Sequence, residues 1–350
     1  MVNNINSLIA CTEGIPETIS NLDISESDWI NLLELAAKNR VLYTVSKNIL
    51  LYYSSIPISI KPKIDEICKI GDIWNTKLQN TLEFINDSFS NQNIDYLIVK
   101  TSRSFPYITY DVDVLVHPDD YVDSINFLNE FGKSFTHPRK QGKFQKNIFI
   151  NKLLNIDLHK DFSWEGSKYV SNRFVWTNHQ KNRIAEITCP TPNSDVELLI
   201  NMAHVLSERR YLTLLDLVYI WDLSVKVKNW DIVFRQLQLF KWMEPFLNLA
   251  LIVTQLYGKL FGGKDIVESF PRERLETCSK QYFLGDNIEM PYFLPISFVM
   301  DTYRYRISEK RTIPLWDIAY FFFTTIRYHI SRKRRFPYYL FWYPLKNLSQ

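Results

Sequence analysis

Glycine is scarce in this chain, with 9 glycines among 350 residues. No two of them stand in a G-x-G-x-x-G or a G-x-x-x-x-G-K pattern. The sequence therefore lacks both the dinucleotide-binding fingerprint of Rossmann folds and the phosphate-binding loop of P-loop NTPases. The four cysteines are widely scattered and include no C-x-x-C pair, which argues against a zinc ribbon and against a dithiol redox centre.

Long apolar runs are also missing. The longest, at residues 318–323, is far shorter than the roughly 20 residues that cross a bilayer. The first residues, MVNNINSLIACTEGIPE, have neither the basic start nor the apolar stretch of a secretory signal peptide. We therefore expect a cytoplasmic protein whose thiols are reduced.

The overall composition excludes few classes of function. A net charge of +3 allows an anionic substrate but does not require a nucleic acid. Hydrophobic residues make up 46% and charged residues 23% of the chain, which excludes wholesale disorder. Aromatic residues reach 15%, and such rings can fill a core, stack on bases or lie at an interface.

The spacing of apolar residues divides the chain into three regions. Residues 1–90 show helical periodicity, with apolar side chains three or four positions apart between Ile64 and Ile85. Residues 91–190 have the order strand, strand, helix, strand, strand, which is typical of a mixed α/β unit. Residues 191–350 return to helical spacing, which predicts helices at 196–208, 293–306 and 314–331 among others, and end in a basic, aromatic tail. The sequence thus predicts an α+β fold, in which a small mixed β-sheet nucleus is flanked by an N-terminal and a C-terminal helical region.

Four short apolar runs have the length and composition of buried strands, at residues 95–100, 111–116, 144–150 and 154–159. In the second run Asp111 and Asp113 alternate with valine, and residues i and i+2 of a strand share a face. Two like charges on a buried face are costly unless a cation neutralises them. Hard oxygen ligands of this kind suit Mg²⁺ or Mn²⁺. Asp157, on another predicted strand, would supply the third carboxylate of a two-metal site.

The residues before the D-x-D pair form a loop that is rich in hydroxyl groups. An isolated D-x-D pair is more often a solvated surface feature than a metal site. Here a Val-Leu-Val run follows the pair, and the segment Lys100-Thr101-Ser102-Arg103 precedes it. Its backbone N–H groups and hydroxyls could hold a triphosphate, with Lys100 and Arg103 adding positive charge. The alternative is that these residues only connect two strands.

The order strand, serine, loop, D-x-D is similar to the motif of the polymerase-β-like nucleotidyltransferase superfamily. The chain most closely resembles an uncharacterised nucleotidyltransferase family of that superfamily, which carries an extra N-terminal helical region. The resemblance covers roughly residues 25–257. The matching segments are Trp29-Ile-Asn-Leu-Leu-Glu-Leu-Ala36, Leu97-Ile-Val-Lys100, Asp111-Val-Asp-Val-Leu-Val116, His117-Pro-Asp-Asp120, Ile156-Asp-Leu-His159, Ala203-His204 and Leu215-Asp216-Leu217.

This resemblance implies that an acceptor hydroxyl attacks the α-phosphate of an NTP such as ATP in line and that pyrophosphate is released. It implies that Asp111 and Asp113 bind two Mg²⁺ or Mn²⁺ ions. Asp157 would bind the catalytic ion and act as, or orient, the base for the acceptor hydroxyl. Catalysis would come from positioning and electrostatics. The residues that would contact the nucleotide are Lys100, Thr101, Ser102, Arg103 and His159.

Two departures from the family pattern leave a second interpretation open. Thr101 stands where the family has glycine, which narrows the backbone freedom of the phosphate loop. The arginine that usually precedes D-x-D has no equivalent, since residues 107–110 occupy that place and Arg103 lies further back. The alternative is a catalytically inactive module of the same fold that binds nucleotide, RNA or a partner protein.

One further feature has both a functional and a structural interpretation, and two others have a structural one. His159 shares the predicted face of Asp157, where it either contacts substrate or is held by hydrogen bonds to the backbone. Residues 194–197, Ser-Asp-x-Glu, have the pattern of a helix cap. Asp216 lies in an apolar helix, and we expect it to pair with a nearby basic side chain. The candidates for this pairing are His204, Arg209 and Arg210.

The tail at residues 327–343 is the most basic and aromatic part of the chain. It could bind an RNA backbone with stacking rings, lie on an anionic membrane surface, or form a last helix and an arm that packs on the core.

The acceptor of the nucleotidyl transfer is equally open at this point. A nucleic acid end, a protein hydroxyl and a small alcohol all fit the chemistry.

Overall fold

The computed structural model describes residues 2–14, 19, 24–103, 105–135, 145–164, 167–209, 211–261, 270–276, 288–295, 297–298 and 301. The helices are α1 (Val2–Glu13), α2 (Glu26–Lys38), α3 (Leu42–Tyr52), α4 (Lys61–Asn91), α5 (Tyr121–Asn129), α6 (Asn172–Thr177), α7 (Ser194–His204), α8 (Leu214–Val225), α9 (Trp230–Leu239), α10 (Met243–Leu260) and α11 (Arg272–Glu276). The strands are β1 (Tyr96–Val99), β2 (Asp111–Val116), β3 (Lys133–Phe135), β4 (Gln145–Phe149), β5 (Asn155–His159), β6 (Ser163–Trp164), β7 (Ser167–Lys168), β8 (His179–Ile184), β9 (Ile187–Pro192), β10 (Tyr211–Leu212) and β11 (Tyr292–Phe293). The α+β class predicted from the sequence is confirmed.

Five strands form the central sheet in the order β1-β2-β5-β4-β3. The β2–β5 pair is parallel, whereas the β1–β2, β4–β5 and β3–β4 pairs are antiparallel. Asp113 of β2 is the register partner of Val99 on one side and of Asp157 on the other. The mixed sheet therefore carries two aspartates side by side on its parallel pair.

The two faces of this sheet pack against different hydrophobic clusters. Val114 and Leu158 belong to a cluster that includes apolar residues of α4 and α5. Val99 and Leu115 belong to a larger cluster, which is built mainly from helices that precede and follow the sheet in the sequence. Because strand residues alternate between faces, Asp113 lies on the face of Leu115. That face is directed toward the helical cluster.

Asn39 joins the N-terminal helices to α8. Its side-chain oxygen accepts the N–H of Leu214 at 3.1 Å, and its backbone oxygen accepts the N–H of Leu215 at 3.3 Å. These bonds satisfy two of the N–H groups that a helix leaves unpaired in its first turn. The next residue, Arg40, has a left-handed backbone with φ of 63°. The chain therefore fixes Arg40 beside the start of α8.

Some elements differ from the sequence-based expectation. The β8–β9 hairpin is not anticipated, because its two-residue turn consists of Ala185 and Glu186, with φ of 44° and 72°. Turns of this kind normally contain Asn or Gly, so the sequence has no turn signal there. The helix expected at residues 196–208 ends at His204 and continues as a π-helical turn, Val205–Arg209.

Part of the C-terminal region lies outside the described residues. This applies to the helix expected at 314–331, to the tail at 327–343 and to most of the helix expected at 293–306. Phe293 itself lies in β11 and pairs with Tyr211 of β10. None of the helices in the described ranges is long and apolar enough to span a membrane.

Candidate active site

The turn that ends β1 begins at Lys100. Lys100 has a left-handed backbone with φ of 59°, which is uncommon for a residue with a side chain. Its backbone N–H donates to Glu197 Oε1 in α7 at 2.6 Å. The next residue, Thr101, is 3% exposed, and its hydroxyl donates to the carbonyl of Val99 at 3.0 Å. The left-handed backbone conformation is thus at Lys100. The hydroxyl of Thr101, the next residue, is bonded to the backbone.

Three carboxylates lie on one face of the sheet, where β2 and β5 run side by side. Asp111 and Asp113 alternate with buried valines in β2. Asp157 in β5 is the register partner of Asp113, and neighbouring strands are about 4.8 Å apart. The structure therefore brings the three sequence-predicted metal ligands to adjacent positions of one surface.

Asp113 has two basic neighbours. Its Oδ1 atom lies 3.0 Å from Lys100 Nζ and 2.7 Å from His159 Nε2. Although burial opposes ionisation, Lys100 and His159 hold the pKa of Asp113 well below its usual range. His159 also stacks on Phe162, with ring centroids 6.1 Å apart. Two of the five predicted nucleotide-binding residues, Lys100 and His159, thus direct their side chains at one carboxylate oxygen.

Asp111 and Asp157 have different surroundings. Asp111 lies at the exposed start of β2 and accepts a hydrogen bond from the Thr109 hydroxyl at 3.2 Å. Partial loss of water around its carboxyl group and the negative charge of Asp113 raise the pKa of Asp111. Asp157 is 8% exposed, and its Oδ1 atom accepts a 2.6 Å hydrogen bond from Asn147 Nδ2 in β4. The Asp111 carboxylate is therefore repelled by Asp113, whereas the Asp157 carboxylate is held in a fixed orientation by Asn147.

Arg103 packs between two aromatic rings. Its guanidinium lies 4.4 Å from the ring centroid of Tyr107 and 5.0 Å from that of Tyr219 in α8. Its Nε and Nη1 atoms are buried, and no described residue forms a hydrogen bond with them. Tyr107 belongs to residues 107–110, which occupy the place of the arginine in the family that this sequence resembles. The stacking therefore brings the Arg103 guanidinium to the segment from which an arginine is missing.

The start of α7 differs from the cap expected at residues 194–197. Asn193 is the N-cap residue, and its side chain accepts the N–H of Val196 at 3.1 Å. Glu197, the last residue of the expected cap, is 2% exposed and bonds the turn at Lys100 instead. The expectation of a Ser-Asp-x-Glu cap is therefore wrong, because the asparagine one position earlier takes that role.

Glu197 and Tyr219 form a buried network behind the turn, which sequence reasoning missed. The Tyr219 hydroxyl lies 3.1 Å from Glu197 Oε1 and 3.1 Å from the carbonyl oxygen of Ser102. Since a hydroxyl carries one proton, it donates to one of these oxygens at a time. Burial raises the pKa of Glu197 to about 7, against hydrogen bonds from Tyr219, Asn201 and Lys100 that favour its charged form. The only signal in the sequence is an acidic residue within an apolar helix.

Asp216 forms the ion pair expected from the sequence, and its partner is Arg209. Arg209 Nη1 lies 2.5 Å from Asp216 Oδ1. Asp216 Oδ2 accepts from the Thr213 hydroxyl at 2.7 Å, and the two residues form a capping box at the start of α8. Asp216 therefore has a structural role at this helix end.

The carboxylate face has the donor chemistry of a site for a hard divalent cation. Asp111, Asp113 and Asp157 offer oxygen atoms, which Mg²⁺ and Mn²⁺ prefer. Loss of water and, after it, the charge of Asp113 raise the pKa of Asp111, and a cation bound at this face would oppose both effects. Within the described ranges, no three His, Cys, Asp or Glu side chains converge as ligands of one ion. Lys100 supplies positive charge beside Asp113, and His159 supplies a ring nitrogen there.

Comparison with known proteins gives one family match. The sequence model of a family described as "Uncharacterised nucleotidyltransferase" matches residues 25–258, more than half of the chain. Among solved structures, the lincomycin-bound lincosamide antibiotic adenylyltransferase LnuA has 16% identity and a TM-score of 0.32, over 42% of this chain and 97% of its own. An antigenic nucleotidyltransferase-like protein from Paracoccidioides brasiliensis has 12% identity and a TM-score of 0.33, over 55% of this chain and 96% of its own. No curated protein matches the sequence.

Proposed function

Because this chain belongs to the uncharacterised nucleotidyltransferase family, we propose that it transfers a nucleoside monophosphate from an NTP to a hydroxyl acceptor and releases pyrophosphate. The register of β2 and β5, in which Asp113 and Asp157 are partners, carries this proposal. Asp111 shares their face, two residues before Asp113. A row of three carboxylates next to a basic turn suits a substrate that brings a metal-bound triphosphate.

We assign the binding of Mg²⁺ or Mn²⁺ to Asp111, Asp113 and Asp157. Bound ions would polarise the α-phosphate and neutralise the charge of the leaving pyrophosphate. Lys100 Nζ and His159 Nε2 lie within 3.0 Å of Asp113. An anion held at this face would therefore be within reach of both basic groups.

Asp157 is the residue that we assign to the acceptor. Its carboxylate is buried, and the hydrogen bond from Asn147 fixes the position of Oδ1. A carboxylate held in this way can accept the proton of the acceptor hydroxyl, or orient that hydroxyl for in-line attack. As the new bond between oxygen and the α-phosphorus forms, the hydroxyl loses its proton and the bond to pyrophosphate breaks.

The turn after β1 and His159 are assigned to the nucleotide. Lys100 and Arg103 supply positive charge, and His159 supplies a ring nitrogen at the carboxylate face. Ser102 lies two residues after Lys100, the residue with the left-handed backbone, and belongs to the same turn. The hydroxyl of Thr101 is bonded to the Val99 carbonyl, so we expect Thr101 to contribute through its backbone.

The test is transfer of label from each α-labelled NTP with Mg²⁺ or Mn²⁺, in the presence of total RNA or cell lysate. We expect label to enter an RNA end, a protein hydroxyl or a small alcohol, and the labelled species to identify the acceptor. Asp111→Asn and Asp113→Asn should abolish transfer. Asp119→Asn is the matched control, because its side chain is 89% exposed just beyond β2. Unchanged transfer in a folded Asp113→Asn variant excludes the mechanism.

A catalytically inactive binding module is the second candidate function. One observation favours it: the hydroxyl of Thr101, the residue in place of the family glycine, is bonded to the backbone. Such a module would bind nucleotide, RNA or a partner protein without turnover. Nucleotide or RNA binding that does not depend on metal, together with no release of pyrophosphate, would support this candidate over the transferase.

A further inference from the structure

Three arginines from distant parts of the sequence converge near the turn at Lys100. Arg40 follows α2, Arg103 lies between β1 and β2, and Arg209 ends the π-helical turn after α7. The charges of all three act on the carboxyl group of Asp216. Arg40 also interacts electrostatically with both of the other arginines.

In the part of the chain that the structure describes, the carboxylate of Asp216 carries one negative charge against three arginines. Both oxygens of Asp216 are already bonded, Oδ1 to Arg209 and Oδ2 to Thr213. The side chains of Arg40 and Arg103 form no hydrogen bond or ion pair with any residue in the described part of the chain. For Arg103 this leaves the Nε and Nη1 atoms buried without a hydrogen-bond acceptor. A buried guanidinium without an acceptor is costly to the free protein.

The electrostatics of the cluster favour an anionic ligand. Burial and the charge of Arg209 lower the pKa of Arg40 to about 10, which shows the repulsion between like charges. Glu197, another nearby acid, has a pKa raised to about 7 and carries only part of a negative charge at neutral pH. A polyvalent anion placed among the arginines would supply both the missing charge and the missing acceptors. Arginine suits phosphate because its planar fork donates two parallel hydrogen bonds.

The cluster adjoins the carboxylate face. The charge of Arg40 acts on Asp111 as well as on Asp216. Arg103 lies three residues after Lys100, whose ammonium touches Asp113. Positive charge therefore continues from the carboxylate face toward α8, and Arg40 is partly exposed to solvent. A chain of phosphates that starts at the carboxylates would run into the cluster.

We propose that Arg40, Arg103 and Arg209 bind the β- and γ-phosphates of the NTP and hold the pyrophosphate as it leaves. This inference rests on the proposed function for the identity of the ligand. It assigns a role to Arg40 and Arg209, which lie in helical regions outside the sheet and its loops. It also places the guanidinium of Arg103 on the phosphate that leaves.

The probe is tripolyphosphate, titrated into the purified full-length chain in EDTA so that no metal contributes. We expect saturable binding to the wild type, and affinities about tenfold weaker in Arg40→Gln and in Arg103→Gln. Arg272→Gln is the matched control, since Arg272 pairs with Glu276 on the surface and is 75% exposed. Equal affinity in the wild type and in both cluster variants overturns the inference, and so does a wild type that does not bind.

The inference and the proposed function can fail separately. Asp113→Asn should abolish transfer of label and retain tripolyphosphate binding. Transfer that persists in Asp113→Asn, with weakened tripolyphosphate binding in Arg40→Gln, removes the proposed mechanism and leaves the phosphate site. Transfer that is lost in Asp113→Asn, with unchanged tripolyphosphate affinity in Arg40→Gln and Arg103→Gln, removes the phosphate site and leaves the mechanism.

A measurement on the wild type covers the case in which a cluster variant does not fold. Phenylglyoxal modifies accessible guanidinium groups, and mass spectrometry of peptides reports the extent at each arginine. We expect saturating tripolyphosphate to protect Arg40 and to leave Arg272 unprotected. Modification of Arg40 at the same rate with and without tripolyphosphate would overturn the inference.

Discussion

The backbone N–H of Lys100 donates a 2.6 Å hydrogen bond to Glu197 Oε1, across 97 positions of the sequence. This bond ties the turn that ends β1 to α7, and the Tyr219 hydroxyl meets the same oxygen from α8. The second oxygen of Glu197 is buried without a partner among the described residues. A buried carboxylate oxygen without a donor disfavours the charged form. The turn beside the carboxylate face is therefore held by a group that titrates near neutral pH.

Glu197→Gln should change how stability depends on pH. The pKa of Glu197 is about 7 in the folded protein against an ordinary value of 4.5, so the folded state binds the proton more tightly. The free energy of unfolding of the wild type should therefore fall as pH rises from about 4.5 to about 7, by on the order of 3 kcal/mol from this group. Glutamine keeps the acceptor for Lys100 and cannot ionise, so this part of the fall should disappear.

Urea unfolding across that pH range measures the effect. Glu186→Gln serves as the control, because Glu186 is 69% exposed in the β8–β9 turn. We expect this control to follow the wild-type curve, while Glu197→Gln gains stability relative to the wild type as pH rises. Parallel curves for Glu197→Gln and the wild type would show that Glu197 does not titrate in this range.

Asn147→Ala should slow the chemical step more than it weakens nucleotide binding. Asn147 bonds Asp157 at 2.6 Å and so orients the carboxylate that we assign to the acceptor. Loss of a residue that orients such a group typically costs about 10-fold to 100-fold in activity. We expect kcat to fall by that factor and KM for the NTP to change by less than about threefold. Asn151→Ala, at an exposed turn position after β4, is the control. A change confined to KM would place Asn147 at the nucleotide instead.

Two substitutions separate the contribution of the Tyr219 hydroxyl from that of its ring. Tyr219→Phe removes the hydroxyl that meets Glu197 and Ser102, and should cost about 1 kcal/mol of stability. It keeps the ring on which Arg103 stacks, so tripolyphosphate affinity should stay near that of the wild type. Tyr219→Leu removes the ring as well and should weaken that affinity, since a cation–π contact contributes about 1 kcal/mol. Equal affinity in both variants would show that the ring does not position Arg103.

That Asp111 and Asp113 share a face is predictable from the sequence, because this signal is local. Asp111 and Asp113 share a face through the two-residue period of a strand, and the register partner of Asp113 is Asp157, which the family resemblance selects. The basic and hydrogen-bonded groups behind this face are not predictable in the same way. Glu197 in α7 and Arg40 in the turn after α2 are far from it in the sequence. Helical periodicity identifies only which residues are buried, not which partners they meet.

Backbone conformation is a second reason why the surroundings of the carboxylates are not predictable from the sequence. Lys100 and Arg40 both adopt left-handed φ angles without being glycine or asparagine, so turn statistics give no warning of either bend. Each bend is held by a distant partner: Glu197 bonds the N–H of Lys100, and Asn39, next to Arg40, bonds the start of α8. Such conformations depend on tertiary contacts that a single sequence does not encode in a local pattern.

Asn39→Ala should destabilise the protein and weaken binding at the arginine cluster together. Asn39 is fully buried, and its side chain accepts the N–H of Leu214 and donates to the carbonyl of Leu35. Alanine leaves the N–H of Leu214 without this acceptor, which costs about 1–3 kcal/mol when the group stays buried. The carbonyl of Leu35 loses the side-chain donor but still accepts the backbone N–H of residue 39. The substitution also releases the contact that fixes Arg40 beside α8. We therefore expect a lower urea midpoint and a weaker affinity for tripolyphosphate in the same variant.

Asn31→Ala is the matched control for this change, since Asn31 is an exposed residue of the same helix, α2. It should leave both quantities within the range of the wild type, because surface substitutions typically change stability by less than about 0.5 kcal/mol. Asn39→Asp separates the two functions of the side chain, as it keeps an acceptor for Leu214 and loses the donor to Leu35. A stable Asn39→Ala variant would mean that α8 keeps its position without this contact. The placement of Arg40 would then depend on the bonds of the backbone alone.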